Sequence, residues 1–206
     1  MELYESLRKR RMVRAFEPDP IDPVVLDRVV QAGLRGPSAG FTQGVDLLVL
    51  SDQADRAAFW AAETDRQWRD AHPDHETTRR APVIALPLTG AEPYTRRYSE
   101  PDKAAAGLQD AAAWPVPFWW FDAGAAVMAI LLAATAEGLG ALFMGVFRGE
   151  TALREAFAIP AGLAPAGAVL LGYPAHDCPS PSLARGHRPV GHRVHDGRFG
   201  RAWPKD

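Results

Sequence analysis

The run at residues 123–136 limits the fold of this chain more than any other feature. Val127, Met128, Ile130, Leu131 and Leu132 stand there among alanines, between Asp122 and Glu137, with no polar face. A helix that is apolar all round has to lie inside something. The run is about 14 residues long, short of the roughly 20 that a bilayer requires, so the middle of a folded domain is its expected place. One chain of 206 residues covers such a helix poorly from both sides. A second copy of the chain is expected against the open side, which predicts a homodimer and no membrane.

Composition narrows the class. With 47% hydrophobic and 23% charged residues, the chain is an ordinary globular mix, outside the disordered, collagen-like and disulfide-stapled classes. A chain of this length buries roughly 70% of its unfolded surface in one core, so a single domain over residues 1–206 is expected. A net charge of -2 and a pI near 6.3 lack the basic footprint of a nucleic-acid binder. The lone Cys178 has no internal disulfide partner, which fits a reducing compartment. Residues 1–14 are charged and carry no apolar stretch of the signal-peptide kind. The expected setting is the cytoplasm.

Local patterns predict helices alternating with strands. Residues 2–9 read as a short helix, followed by an extended piece over 12–16. Asp22 before Pro23 is a helix start, cap then proline at the first position. Val25, Leu26, Val29 and Val30 continue it at helical spacing, and Gly33 closes it. A loop at 36–44 leads into a strand at 45–50, then an amphipathic helix over 54–70 with Phe59, Trp60 and Trp68. Further strands are expected at 83–88, 141–146 and 166–171, and helices at 122–138, capped by Asp122, and about 151–157. Alternation of this kind gives an α/β layered domain. Residues 90–117 have no clean period, which suits a lid or binding loop; the boundaries expected for that insertion are 93–118. An extended tail covers 175–206.

Several motifs invite a chemical reading. Gly36, Ser38 and Gly40 match the G-x-S-x-G elbow of serine hydrolases, but that elbow needs strand–turn–helix order and here a helix precedes and a strand follows. Gly138, Gly140 and Gly145 follow a helix and open a strand, the reverse of a dinucleotide fingerprint, and a helix C-cap explains Gly138. His187, His192 and His195 lie among arginines without a second ligand pair, so no metal site is expected. The turn from His72 through Pro73 and Asp74 to His75 reads as surface. The basic run Arg8, Lys9, Arg10, Arg11 and then Arg14 has two readings, a solvated face or an anion site. In an extended segment Arg10, Met12 and Arg14 share a side and Arg11 faces the other. Two guanidinium forks on one side can grip a phosphate.

At these residues the chain resembles the FMN-dependent nitroreductase family, over nearly its whole length. The stretch Arg10, Arg11, Met12, Val13, Arg14, Ala15, Phe16 is similar to the family's opening R-R-S-x-R-x-F, which contributes to the FMN phosphate and the flavin's pyrimidine edge. Pro37, Ser38, Ala39, Gly40, Phe41, Thr42 and Gln43 resemble its P-S-x-x-N-x-Q loop. Residues 134–145 resemble the helix-to-strand A-x-x-x-G-L-G…G element, whose amides approach flavin N5, which implies Gly145 and Val146 beside the ring. Arg185, His187 and Arg188 resemble the basic tail that closes on the phosphate. Residues 98–122 resemble an actinobacterial-type branch of the family.

The resemblance implies a three-layer α/β (α+β) fold with a mostly antiparallel central sheet flanked by helices. It also implies an intertwined homodimer with FMN at the interface. Its implied activity is hydride transfer from NAD(P)H through FMN to a nitroaromatic, quinone or related acceptor, with no catalytic side chain required because the flavin carries the redox chemistry. Two positions depart from the family pattern: Met12 where serine is usual and Phe41 where asparagine is usual. They leave open a flavin oxidase or dehydrogenase, a deazaflavin-linked reductase, or a non-catalytic flavin-binding relative. The lid aromatics Tyr98, Trp114, Phe118, Trp119 and Trp120 read either as core or as walls of an aromatic-acceptor pocket, with Phe41, Trp114 and Phe118 expected at the substrate.

Overall fold

The computed structural model describes residues 2–64, 75–176 and 180–203. Strand β2 (Val83–Thr89) shows how the two cores are separated. Its Ile84, Leu86 and Leu88 enter one apolar cluster, while Val83 and Ala85 enter another. Side chains on a strand alternate between the faces of the sheet, so a strand apolar at every position is one covered on both sides. The same alternation recurs on β5 (Ala168–Gly172), where Ala168 and Leu170 face one cluster and Val169 and Leu171 the other.

The sheet runs in the order β1 (Val45–Leu50), β2, β5, β3 (Gly140–Met144), with the two-residue β4 (Ala164–Pro165) also on β2. Every pairing between these strands is antiparallel. One face is covered by α2 (Pro23–Gly33) and the long 118–136 helix, the other by α3 (Gln53–Glu63) and a helix at 150–156. This is the three-layer α+β arrangement the sequence implied. Residues 12–17 extend the sheet edge: Met12 bridges Ala141 in parallel and Phe16 bridges Pro174. Among the described residues the remaining helices are α1 (Leu3–Lys9), α4 (Glu76–Arg79) and α5 (Ala91–Arg97); in chain order the 118–136 helix is α6 and the 150–156 helix α7.

Several expectations need correction. Helix α6 begins at Phe118, not at Asp122, and is 19 residues long. By length and composition alone it could cross a membrane, so shortness is no argument against one; in the fold it packs on α2 and on β1, β2 and β3. Asp122 lies inside the helix and turns inward instead of capping it. Helix α3 stops at Glu63, because Thr64 is already extended at φ -130 and ψ 121. Trp68, residues 72–74 of the expected turn and Cys178 lie outside the described residues. The stretch expected to be irregular contains α5 and two short 3-10 turns at 104–106 and 111–113. The last strand is divided by Gly167, whose φ of 146 suits glycine, and the third ends at Met144. Asp22 does cap α2, its carboxylate accepting from Val24 N at 2.7 Å. Gly33 does close α2 as its last residue, and it has a second duty: it is buried, and a Cβ there would lie 2.7 Å from Ile130 Cγ1, so it lets α2 and α6 approach.

Candidate functional site

Residues 37–43 form a loop held in uncommon backbone. Gly40, Phe41 and Gln43 have φ of 61, 55 and 53, and for a residue with a side chain such strain costs on the order of 1–3 kcal/mol. Strain of that size persists only where the surroundings impose it. Here α6 and α5 do so. The buried Asp122 accepts from Ala39 N at 3.0 Å and from the Tyr94 hydroxyl at 2.7 Å, both on Oδ2. Arg97 donates from Nε to Gly40 O at 3.0 Å, while its Nη atoms grip both carboxylate oxygens of Asp102 at 2.7 Å. Within the loop, Gln43 N donates to Ser38 Oγ at 2.8 Å. A Cβ on Gly40 would meet Tyr98 Cε2 at 2.7 Å, so this glycine is required twice over, by its φ and by the ring above it.

The loop borders a cleft of about 690 Å³, within the usual range of ligand sites. Pro37, Ser38, Phe41 and Gln43 line it together with Gln31, Arg35, Asp46 and Asp122. Phe41 presents its ring there, 77% exposed. Trp114 does not. It is buried, its ring contacts those of Tyr94, Tyr98, Phe118 and Trp119, and its Nε1 donates to Leu108 O. The expected pocket wall is a core residue of the 91–121 segment in this chain. Phe118 is half in and half out, against Trp114 and Phe121.

A second cavity, about 180 Å³, lies on the opposite face of the sheet. Arg14, Trp60, His75, Thr78, Arg79, Leu142 and Met144 line it, and Trp60 and Leu142 belong to the α3-side core. Trp60 Nε1 and Arg79 Nε, both buried, have no hydrogen-bond acceptor, an arrangement that costs about 1–3 kcal/mol each when left unmade. Met12 is half-buried and its sulfur accepts from Phe143 N at 3.4 Å. Arg10 follows α1 as its C-cap and Arg11 is exposed. The structure thus keeps Arg14 and the 37–43 loop apart, on different faces of one sheet.

The turn after β3 carries Gly145 and Val146. A Cβ on Gly145 would stand 2.1 Å from the tip of the Phe147 ring, an exposed side chain that would have to swing aside. Glu63, buried at the end of α3, accepts from Phe147 N and Gly149 N at 3.3 Å each. Arg185, His187 and Arg188 are exposed on a tail of short 3-10 turns, where Arg188 donates to His192 O at 3.4 Å.

Sequence reasoning missed Asp122, Tyr94, Arg97, Glu63, Trp60 and Arg79. Burial, and next the bond to Asp122, push the Tyr94 phenol above its ordinary value of 10.0. The unfolded chain therefore loses that proton near pH ~10 while the folded chain keeps it. Stability is level in this respect below about pH 10 and falls as the pH rises above it. Alkaline urea titrations should show that fall in the wild type and a shallower one in Tyr94→Phe; equal slopes would remove Tyr94 from the account.

The comparisons bear on this geometry. A family model described as Nitroreductase family matches residues 7–173. A Methanothermobacter thermautotrophicus protein named NADH dehydrogenase/NAD(P)H nitroreductase is 25% identical over 86% of this chain and 80% of its own length. A protein of the same name from Archaeoglobus fulgidus is 26% identical over 84% and 86%. A nitroreductase in complex with FMN from Desulfovibrio desulfuricans superposes with a TM-score of 0.68 at 25% identity, covering 97% of this chain and 98% of that one. A nitroreductase family protein from Clostridium difficile 630 superposes at 0.70 with 19% identity, covering 97% and 100%, a likeness of fold.

Proposed function

This chain belongs to the nitroreductase family, and from that premise we propose that it is an FMN-dependent oxidoreductase passing hydride from NADH or NADPH to a nitroaromatic, a quinone or a related acceptor. The observation that carries the reading is the Arg14 cavity. Its lining offers donors over the apolar floor of Leu142 and Met144, and none of the described residues that line it carries a carboxylate, Glu76 standing behind Arg79. That donor set fits the acceptor-rich pyrimidine end of a flavin. FMN held there supplies the two-electron chemistry that no side chain of the protein provides.

The chain's own residues bind and orient. Arg10, Arg11, Arg185, His187 and Arg188 hold the phosphate by charge-assisted hydrogen bonds. Met12 and Arg14 border the pyrimidine edge, and the backbone at Gly145 and Val146 lies along the ring. Pro37, Ser38, Ala39, Gly40 and Gln43 close the other side from a second copy. Two copies are invoked because Arg14 and the loop border opposite faces of one sheet. Leu3, Tyr4 and Leu7 on α1, with Phe121 and Met128 on α6, supply an exposed apolar surface for that pairing. Sedimentation at micromolar concentration should give a dimer, with FMN lost as the copies separate. A folded, flavin-loaded monomer would overturn the shared site.

Phe41 and Phe118 face the acceptor, with Trp114 packed behind Phe118. Stacking of that sort adds about 0.5–1.5 kcal/mol per aromatic pair beyond burial. The experiment is anaerobic stopped-flow on the FMN-loaded protein, following reduction by NADH and NADPH and then reoxidation by nitroaromatic and quinone acceptors. Flavin that neither nicotinamide reduces would overturn the activity. In the same assay Phe41→Asn should leave reduction unchanged and shift the acceptor range toward bulkier compounds; an unaltered acceptor profile would make Phe41 a surface residue only.

A further inference from the structure

Trp60 and Arg79 form one wall of the Arg14 cavity. The Arg79 guanidinium carbon lies 6.0 Å from the Trp60 ring centroid, and Arg79 Nη1 is tied to Glu76 Oε2 at 3.2 Å. The backbone around Trp60 is fully employed, since its carbonyl accepts from both Thr64 N and Thr64 Oγ1. Among the described residues, the buried side-chain atoms left without a partner are Trp60 Nε1 and Arg79 Nε. Such orphans are rare in a folded protein and ask for an explanation. Packing alone does not give one. Phe59 meets Trp60 edge-on at 5.1 Å, and a second phenylalanine would fill that core position without burying an unpaired donor. Trp60 is 6% exposed, so bulk water does not serve as the acceptor.

We propose that Trp60 Nε1 and Arg79 Nε are donors kept for a carbonyl or anionic oxygen of a bound ligand, and that with FMN they take a carbonyl oxygen of its pyrimidine end beside Arg14. The proposal rests on the FMN reading above and adds a consequence to it. With FMN bound, hydride delivery would bring two electrons and one proton to the flavin, and the added charge would lie toward the pyrimidine side that Arg14, Trp60 and Arg79 would hold. Donors fixed there hold the reduced ring more tightly than the oxidised one, which raises the potential. Trp60 and Arg79 are thus binding residues that tune the group's electronics and leave the transfer itself to the flavin.

Trp60→Phe removes the N–H and keeps an aromatic ring; Arg79→Met removes the guanidinium and keeps the stem. Each should weaken FMN binding about tenfold, measured by quenching of flavin fluorescence on titration of the apoprotein. Each should also lower the two-electron potential of bound FMN, by about 30 mV for every tenfold loss of preference for the reduced form. The apoprotein with Trp60→Phe should melt no lower than wild type. Wild type that binds FMN alongside variants with unchanged affinity and potential overturns this assignment and leaves the function standing. Apo and loaded Trp60→Phe destabilised equally would reduce Trp60 to a packing residue and overturn it as well. Wild-type protein that takes up no FMN overturns both readings together.

Discussion

Replacing Arg10 and Arg185 together by alanine should weaken FMN binding by two orders of magnitude or more and leave riboflavin binding nearly unchanged. A hydrogen bond to a charged group contributes about 1.5–3 kcal/mol. Two of them amount to roughly 3–6 kcal/mol, and each 1.4 kcal/mol is a factor of ten in affinity. Riboflavin lacks the phosphate and reports on the ring contacts alone. The structural cost of the change is small. Arg10 ends α1 at the surface and Arg185 closes an exposed 3-10 turn, and surface substitutions of this kind stay within about 0.5 kcal/mol. Because the contacts are ionic and partly exposed, the FMN difference should shrink as salt is raised. Equal losses for FMN and riboflavin would mean that these arginines do not hold the phosphate.

What the sequence displayed was whatever is local. The strand at Val45–Leu50 and the start of α2 follow from a run of β-formers and from Asp22 before Pro23, each legible within six residues. The candidate site was only half legible. The 37–43 loop and the arginines stood out by residue type, whereas the groups that fix the loop are distant in the chain. Asp122 lies 83 residues from Ala39 and 28 from Tyr94. An aspartate just before an apolar run looks like a cap, and the aromatic residues that begin α6 concealed the true start at Phe118. Glu63 reads as one more charge on an amphipathic helix, yet its donors are 84 and 86 residues away. Gly33 marked the helix end, where α2 does stop, but its second duty, the close approach of α2 to Ile130, leaves no mark near residue 33. Local rules report capping and periodicity; they are silent on which polar group is turned inward to serve another segment.

Asp122→Ala should lower the melting temperature by roughly 5–15 °C and weaken FMN binding beyond what the loss of stability explains. The change strips the acceptor from two groups at once, Ala39 N and the Tyr94 hydroxyl. Each donor left unpaired costs about 1–3 kcal/mol, and for a chain of this size 1 kcal/mol moves the midpoint by about 2–4 °C. The binding effect has a separate origin. Phe41 and Gln43 keep left-handed backbone because their loop is pinned; with the Asp122 anchor gone, relaxing toward ordinary φ values releases strain and disperses Ser38 and Gln43. Asp122→Asn keeps an acceptor oxygen and should cost much less on both counts. The pairing with Tyr94 supplies an internal check. Tyr94→Phe removes one of the stranded donors, so Asp122→Ala should be less damaging in the Tyr94→Phe background, with a coupling of about 1 kcal/mol or more between the two sites. Strict additivity, or an Asp122→Ala protein with wild-type melting and FMN affinity, would show that the loop holds its shape without α6.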